Sequence, residues 1–226
     1  MLLPDMLLPD MRRWVDHRPM ILIGQYDSPF VRRVAIALRL YRIDYEHRPW
    51  STFGDADRLA AYNPLRCVPT LVRDDGAVLI ESSAILDWLD EQAGDTAPLP
   101  RAGEARRAQL HVCALGQGLA EKSVALLYER VLHEQTSDLW TARCRAQILD
   151  TLSVLERSRA EWGGDFWFGA AMGHADIMAA CALRFLKEAH AGLFDPARFP
   201  LLAALSDRCE ATAPFREIVQ PLIPPS

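Results

Sequence analysis

The stretch AGDTAPLPR, residues Ala93 to Arg101, divides two kinds of sequence. It is rich in Gly, Pro and small residues, which sustain neither a helix nor a strand ladder, so it reads as a linker. Before it, short β-like runs alternate with amphipathic stripes. Beyond it no convincing strand pattern occurs and only helical periodicity remains. A chain patterned this way is expected to fold as an α/β unit followed by an all-α unit.

Met20 to Gln25 reads as a buried strand. Ser28 to Arg42 reads as a helix, with Val31, Val34, Ala35 and Leu38 in one apolar stripe. Ile43 to Arg48 alternates apolar and polar residues as a strand does, and a short helix is expected around Asp55 to Ala61. Pro69–Arg73 and Ala77–Ile80 flank Asp74-Asp75-Gly76, the pattern of a β-hairpin with an Asp-Gly turn. Ser82 to Gln92 is helical again. The order over residues 20–98 is therefore β-α-β-α-β-β-α. Residues 102–226 are expected as a helical bundle, with periodic segments at Glu104–Val131, Asp138–Trp162, Ala175–Ala189 and Leu201–Thr212. Gly163-Gly164 and Pro196 to Pro200 break them, and Pro221, Pro224 and Pro225 keep the tail non-helical. Residues 1–19 contain the unit MLLPD twice, too short for a solenoid, and read as a loose extension. The folded pattern begins at Met20, a candidate start whose use an intact-mass measurement would settle.

Half of the 226 residues are hydrophobic and 24% are charged, enough for a globular core. The net charge of -5 gives no basic excess, which argues against a general nucleic-acid binder. No apolar run approaches the roughly 20 residues that span a bilayer, so no membrane partner is expected. Five widely spaced cysteines (Cys67, Cys113, Cys144, Cys181 and Cys209) contain no CxxC pair and are odd in number. They suggest neither a disulfide framework nor a zinc site, and a reducing cytoplasm is the simplest setting. The histidines show no ligand spacing, so no metal is expected.

Three stretches carry chemistry. Ser28-Pro29 opens a helix. Proline suits the first helical position, Ser28 can cap the helix, and the free N–H groups there favour an anion. In Asn63-Pro64-Leu65-Arg66-Cys67-Val68-Pro69-Thr70-Leu71, a cis Pro69 would turn the backbone of Val68 outward, with N–H and C=O available to an extended peptide. In Glu81-Ser82-Ser83 a strand gives way to a helix: Glu81 offers a carboxylate to an ammonium group, and Ser82 with the helix N-terminus suits a carboxylate. An acid beside a helix start fits an amino-acid head group. Together the three would hold a short peptide with its reactive group at Ser28. Lowering a thiol pKa by two units there needs about 2.7 kcal/mol, the scale of one charge-assisted hydrogen bond plus a helix end.

The segments SPFVRRVAIAL, NPLRCVPTLV, DDGAVLIESSAILDWLDE and GHADIMAACALRFL, in this order, resemble the glutathione S-transferases of bacterial type over roughly Met20 to Pro221. The resemblance implies a thioredoxin-like N-terminal domain, an all-helical C-terminal domain and a homodimer. It implies glutathione as co-substrate, bound by the first domain, and an apolar electrophile held between the two. Ser28 matches the thiol-activating residue, Val68 and Pro69 the backbone clamp, and Glu81 and Ser82 the γ-glutamyl anchor. Tyr26 is a rival for the thiol, because other classes use a tyrosine near the end of the first strand. Asp176 matches a capping-box aspartate, but Gly173 replaces the usual Ser or Thr, so the reciprocal side-chain bond is lost. Cys67 stands where a longer polar residue is common.

The acceptor pocket is expected between the domains, walled by the helix around Cys113–Tyr128 and the C-terminal segment. Arg48, Arg58 and Arg66 are candidates for the glycine carboxylate of glutathione. Gly116-Gln117-Gly118 is read as small residues that let helices approach, His174 as a neighbour of the cap, and Trp88, Trp140, Trp162 and Trp167 as packing. Arg32-Arg33 and Arg106-Arg107 are read as solvated faces. Two other functions fit the same residues: a non-catalytic glutathione-binding or protein-interaction member of the fold, and a glutathione-dependent isomerase or peroxidase.

Overall fold

A computed structural model describes residues 19–225. The extension expected over residues 1–19 lies, apart from Pro19, outside the described residues.

The first half carries strands β1 (Met20–Ile23), β2 (Tyr45–Arg48), β3 (Thr70–Val72) and β4 (Val78–Ile80), with helices α1 (Pro29–Leu40), α2 (Ala56–Ala60) and α3 (Ser82–Ala93). The sheet order is β2-β1-β3-β4. β1 pairs with β2 in parallel and with β3 antiparallel, and β3 and β4 form the hairpin. This is the β-α-β-α-β-β-α order read from the sequence. β1 is two residues shorter than expected because Gly24 turns at φ +131. A Cβ at Gly24 would lie 2.5 Å from Val31 Cγ2 and 2.8 Å from Val68 Cβ. Glycine therefore lets the end of β1, the first turn of α1 and the loop before β3 meet at one point.

The second half is helical: α4 (Gly103–Leu132), α5 (Asp138–Glu161), α6 (His174–Ala189), α7 (Pro200–Glu210) and the short α8 (Ala213–Glu217). The segment expected as a linker is partly structured, since α3 runs on to Ala93 and a 3-10 turn covers Gly94–Thr96. α8 was not anticipated, although Pro214 near its start is a local signal. One continuous core joins the halves: Leu22, Val34, Leu38, Leu71, Ile85 and Leu89 pack with Leu119, Ile148, Leu152, Met178 and Leu183. Where α4 crosses α6, a Cβ at Gly116 would sit 2.9 Å from Met178 Cγ, whereas Gly118 has open space. The close approach rests on Gly116.

The paired arginines of α1 are not solvated. Arg32 and Arg33 are buried. Arg32 meets Glu210 through two bonds of 2.6 and 2.8 Å, donates to the carbonyls of Ile218 and Phe215, and stacks 5.0 Å over the Phe215 ring. Two-pronged pairing of this kind compensates much of the desolvation of a buried guanidinium. Arg106 and Arg107 fit the expectation better: Arg106 pairs with exposed Asp87, and Arg107 with exposed Glu104. Trp167 is fully buried, while Trp162 keeps 42% of its surface exposed and packs on Phe168.

Candidate active site

The site begins where β1 ends. The His47 ring donates through Nε2 to the carbonyl of Gly24 at 2.8 Å and stacks on Tyr26 at 3.8 Å. These contacts hold the turn that delivers Ser28 to the start of α1. Ser28 is the N-cap, but its Oγ accepts from the Val31 N–H at 3.4 Å, a long bond that leaves the hydroxyl largely uncommitted. Ser28 lines a cavity of about 490 Å³. Tyr26 does not line it. Its hydroxyl lies 2.8 Å from that of Tyr45, and burial, reinforced by that contact, pushes its pKa up.

Val68–Pro69 is a cis peptide bond. Buried Asn63 donates to the Cys67 carbonyl at 2.9 Å, and the Thr70 hydroxyl donates to the same oxygen at 3.2 Å. These bonds pin the loop just before Val68. Val68 lines the cavity, and its N–H and C=O have no hydrogen-bond partner among the described residues. Two unpaired groups on one residue suit strand-like pairing with an extended peptide.

Thr70 pairs with Ile80 across the hairpin. Continuing that ladder brings Val68-Pro69 alongside Glu81-Ser82, where α3 starts. Glu81 is held at φ +69, the left-handed region, which costs a non-glycine residue about 1–2 kcal/mol. Ser82 is fully buried. Its hydroxyl donates to Glu81 Oε1 at 3.2 Å and accepts a long bond of 3.4 Å from Arg33 Nη1. Burial lowers the Arg33 pKa, and nearby Glu81 works against that shift. The α3 start therefore places a carboxylate, a hydroxyl, helix N–H groups and a buried cation together.

The rest of the cavity is mostly apolar. Pro29 and Phe30 come from the start of α1, and Trp50 to Gly54 from the loop after β2. Val124, Leu127 and Tyr128 come from α4, Phe185 from α6, and Leu222 to Pro225 from the tail. Phe53 and Tyr128 meet edge to face at 5.3 Å, joining the two halves across one rim. Two expectations need correcting. The α4 wall is its C-terminal part only: Cys113 lines a separate cavity of about 220 Å³ between α1, α3, α4 and α6. Burial pushes the Cys113 thiol up to about 11. His174 is more than a cap neighbour, because it is buried, bonds Asp90 at 2.8 Å and contacts the Tyr41 hydroxyl.

Sequence reasoning missed Asp27, Phe185 and the Trp50–Gly54 loop as cavity residues. Of these only Asp27 carried a local signal, as a carboxylate beside Ser28. The three arginines considered for the glycine carboxylate do not line the cavity. Arg48 and Arg58 lie over the Trp50 ring at 5.7 and 5.6 Å and pair with Glu46 and Asp55, and Arg66 pairs with Asp57. Among the described residues no cluster of His, Cys, Asp or Glu could hold a metal ion, and no helix is long and apolar enough to cross a membrane.

A mixed four-stranded sheet with a cis-proline loop, followed by a helical bundle, defines a thioredoxin-like unit with a helical companion. Comparison with known proteins makes the class definite. The model described as glutathione S-transferase, N-terminal domain, matches residues 22–97, and that described as glutathione S-transferase, C-terminal domain, matches residues 138–208. A glutathione S-transferase from Methylobacterium radiotolerans, solved in complex with glutathione sulfonate, is 30% identical with a TM-score of 0.85, over 92% of this chain and 97% of its own. A glutathione transferase family member from Pseudomonas fluorescens Pf-5, solved with bound glutathione, is 31% identical with a TM-score of 0.79, over 90% of this chain and 100% of its own. Glutathione S-transferase U6 of Arabidopsis thaliana is 29% identical over 74% of this chain and 71% of its own. The chain belongs to the glutathione S-transferase family.

Proposed function

We propose that the protein conjugates glutathione to an electrophilic small molecule, with Ser28 as the group that activates the thiol. The observation that carries this reading is the convergence at one cavity of an undercommitted Ser28 hydroxyl and the unpaired Val68 backbone; Glu81-Ser82 do not line that cavity and join the site by extension of the hairpin register. The γ-glutamyl end would lie at Glu81 and Ser82, the cysteinyl backbone would pair with Val68 beside Pro69, and the sulfur would sit at Ser28. The Ser28 O–H would donate to the thiolate, and the α1 N-terminus adds a favourable field. Tyr26 is the weaker candidate, since its hydroxyl faces Tyr45 and burial opposes its ionisation. The thiol proton leaves to solvent. The sulfur then forms a bond to the electrophilic carbon, and the leaving group departs with its electron pair. Positioning and thiolate formation supply the rate, and no covalent enzyme intermediate or metal is required. We further propose a homodimer, on the family resemblance, and a cytoplasmic setting, which five free cysteines suit. The unit boundaries 20–98 and 102–226 belong to the same proposal.

Calorimetric titration with glutathione tests the site. Wild type should bind, Glu81→Ala and Ser82→Ala should each lose about tenfold in affinity, and Ser28→Ala should retain affinity within about threefold. The thiolate absorbance seen on binding should vanish in Ser28→Ala and persist in Tyr26→Phe. A folded wild type that binds no glutathione would overturn the reading. Binding with full thiolate formation but no turnover of any electrophile would favour the non-catalytic alternative.

A further inference from the structure

The tail after α8 is fastened at four points. Arg32 donates to the Ile218 carbonyl at 2.8 Å, and the Tyr26 N–H donates to Gln220 Oε1 at 3.1 Å. The Leu222 N–H donates to Glu188 Oε2 at 2.9 Å, and the Ile223 N–H to Asp27 Oδ2 at 2.9 Å. Two of these anchors, Tyr26 and Asp27, belong to the turn that carries Ser28. The fastened tail, through Leu222 to Pro225, forms a wall of the cavity. Among the described residues, Asp27 apart, the side chains that line the cavity are uncharged, and none is Lys, Arg or His.

We infer that Asp27, held by the fastened tail, sets acceptor specificity by charge: the site discriminates against electrophiles that carry a carboxylate. The inference rests on the glutathione transferase reading above and names the acceptor class for that same cavity. A neutral acceptor gains by leaving water for Phe30, Leu127, Phe185 and Leu222. An acceptor carboxylate would be stripped of water, meet no cation, and face the Asp27 carboxylate at low effective dielectric. Asp27 cannot swing aside freely, because its Oδ2 holds the Ile223 N–H. Burial raises its pKa, but the backbone N–H groups of Ile223, Ser28 and Asp27 itself pull in the opposite direction and favour the anion. The side chain that repels an anionic acceptor is thus the one that fastens the wall.

The test uses S-hexylglutathione and its analogue with a carboxylate at the end of the hexyl chain, titrated calorimetrically into the full chain. The neutral ligand should bind at least about tenfold more tightly than the carboxylate, the scale of one unlike environment for a unit charge. Asp27→Asn keeps an oxygen for the Ile223 N–H and removes the charge, so the gap should narrow to about threefold. A chain ending at Gln220 should lose about tenfold of the advantage that the hexyl group gives over glutathione alone. Equal affinity of the two ligands for wild type overturns the inference and leaves the glutathione reading intact. A gap unchanged in Asp27→Asn removes Asp27 from the assignment. Glutathione failing to bind at all would instead overturn the transferase reading on which the inference stands.

Discussion

Helices α1 and α6 begin in opposite ways. At the start of α6, Asp176 Oδ2 accepts the Gly173 N–H at 2.9 Å and Oδ1 accepts the Trp167 N–H at 2.7 Å. Gly173 has no side chain to return a bond, so the aspartate does all the capping, and it is buried in doing so. At the start of α1, the cap is one long bond from Val31 to Ser28, with no acidic residue in the first turn and an open cavity alongside. Each helix start presents unpaired N–H groups and a partial positive charge. Where the chain supplies its own acceptor, the helix start is a structural joint. Where the cap within the first turn is a single long bond beside a cavity, more of the same physics is left for a ligand.

The largest expected effect separates the two starts. Asp176→Ala strands the buried Trp167 N–H and the half-buried Gly173 N–H and should cost about 2–4 kcal/mol of stability in chemical denaturation. Activity per folded molecule should change little. Ser28→Ala should do the reverse: about 1 kcal/mol or less of stability, the value of an ordinary N-cap, but about a hundredfold in kcat. If Ser28→Ala lowered stability by several kcal/mol and left kcat intact, the α1 start would be a joint as well.

What the sequence made legible follows the same division. Ser28-Pro29, the Asp-Gly hairpin, the cis Pro69 and Glu81-Ser82 are local patterns, each determined by residues a few positions apart. Ser28 and Val68 share one cavity because Gly24 lets their segments approach, whereas Glu81-Ser82 do not line it and are carried towards Val68 by the hairpin register. The fate of Arg32 and Arg33 was not local. Neighbouring charges on a helix ordinarily face water, and Arg32 is buried only because Glu210, Phe215 and Ile218 return to it from the far end of the chain. The orientation of Tyr26 depends in the same way on Tyr45 and His47, and the cavity walls on Phe185 and the tail. Periodicity does not encode which distant residue will arrive.

Acidification should sharpen the contrast by its sign. His47 braces the turn before α1, and His190 bonds the Ser123 carbonyl within the helical half. Burial lowers both pKa values from 6.5. The folded state therefore binds these protons less well than the unfolded chain. Their contribution to stability is complete above pH 6.5 and is lost as the pH falls below it towards the folded values. Asp176 has the opposite sign, because burial raises its pKa from 3.8, so its proton linkage favours the fold at low pH and is lost as the pH rises through its folded value. Denaturation midpoints should drop between about pH 7 and pH 5, and the drop should be smaller in His47→Gln. A drop of unchanged size in His47→Gln would mean that this ring does not carry the effect.

The smallest effect tests whether the α6 start is complete. Gly173 has φ -121, a conformation open to any residue. The nearest atoms to a new Cβ would be Asp176 Oδ2 and Gln109 Oε1, both at 3.8 Å, so Gly173→Ser needs no rearrangement. Its hydroxyl could accept the N–H of Asp176 and restore the reciprocal bond of a capping box. Serine exceeds glycine at an N-cap by only about a few tenths of a kcal/mol, and Asp176 already quenches much of the local positive potential. A gain of that size in denaturation midpoint would show one donor still open at α6. No gain would mean that Asp176 alone closes the joint, which would make the contrast with the uncommitted α1 start sharper still.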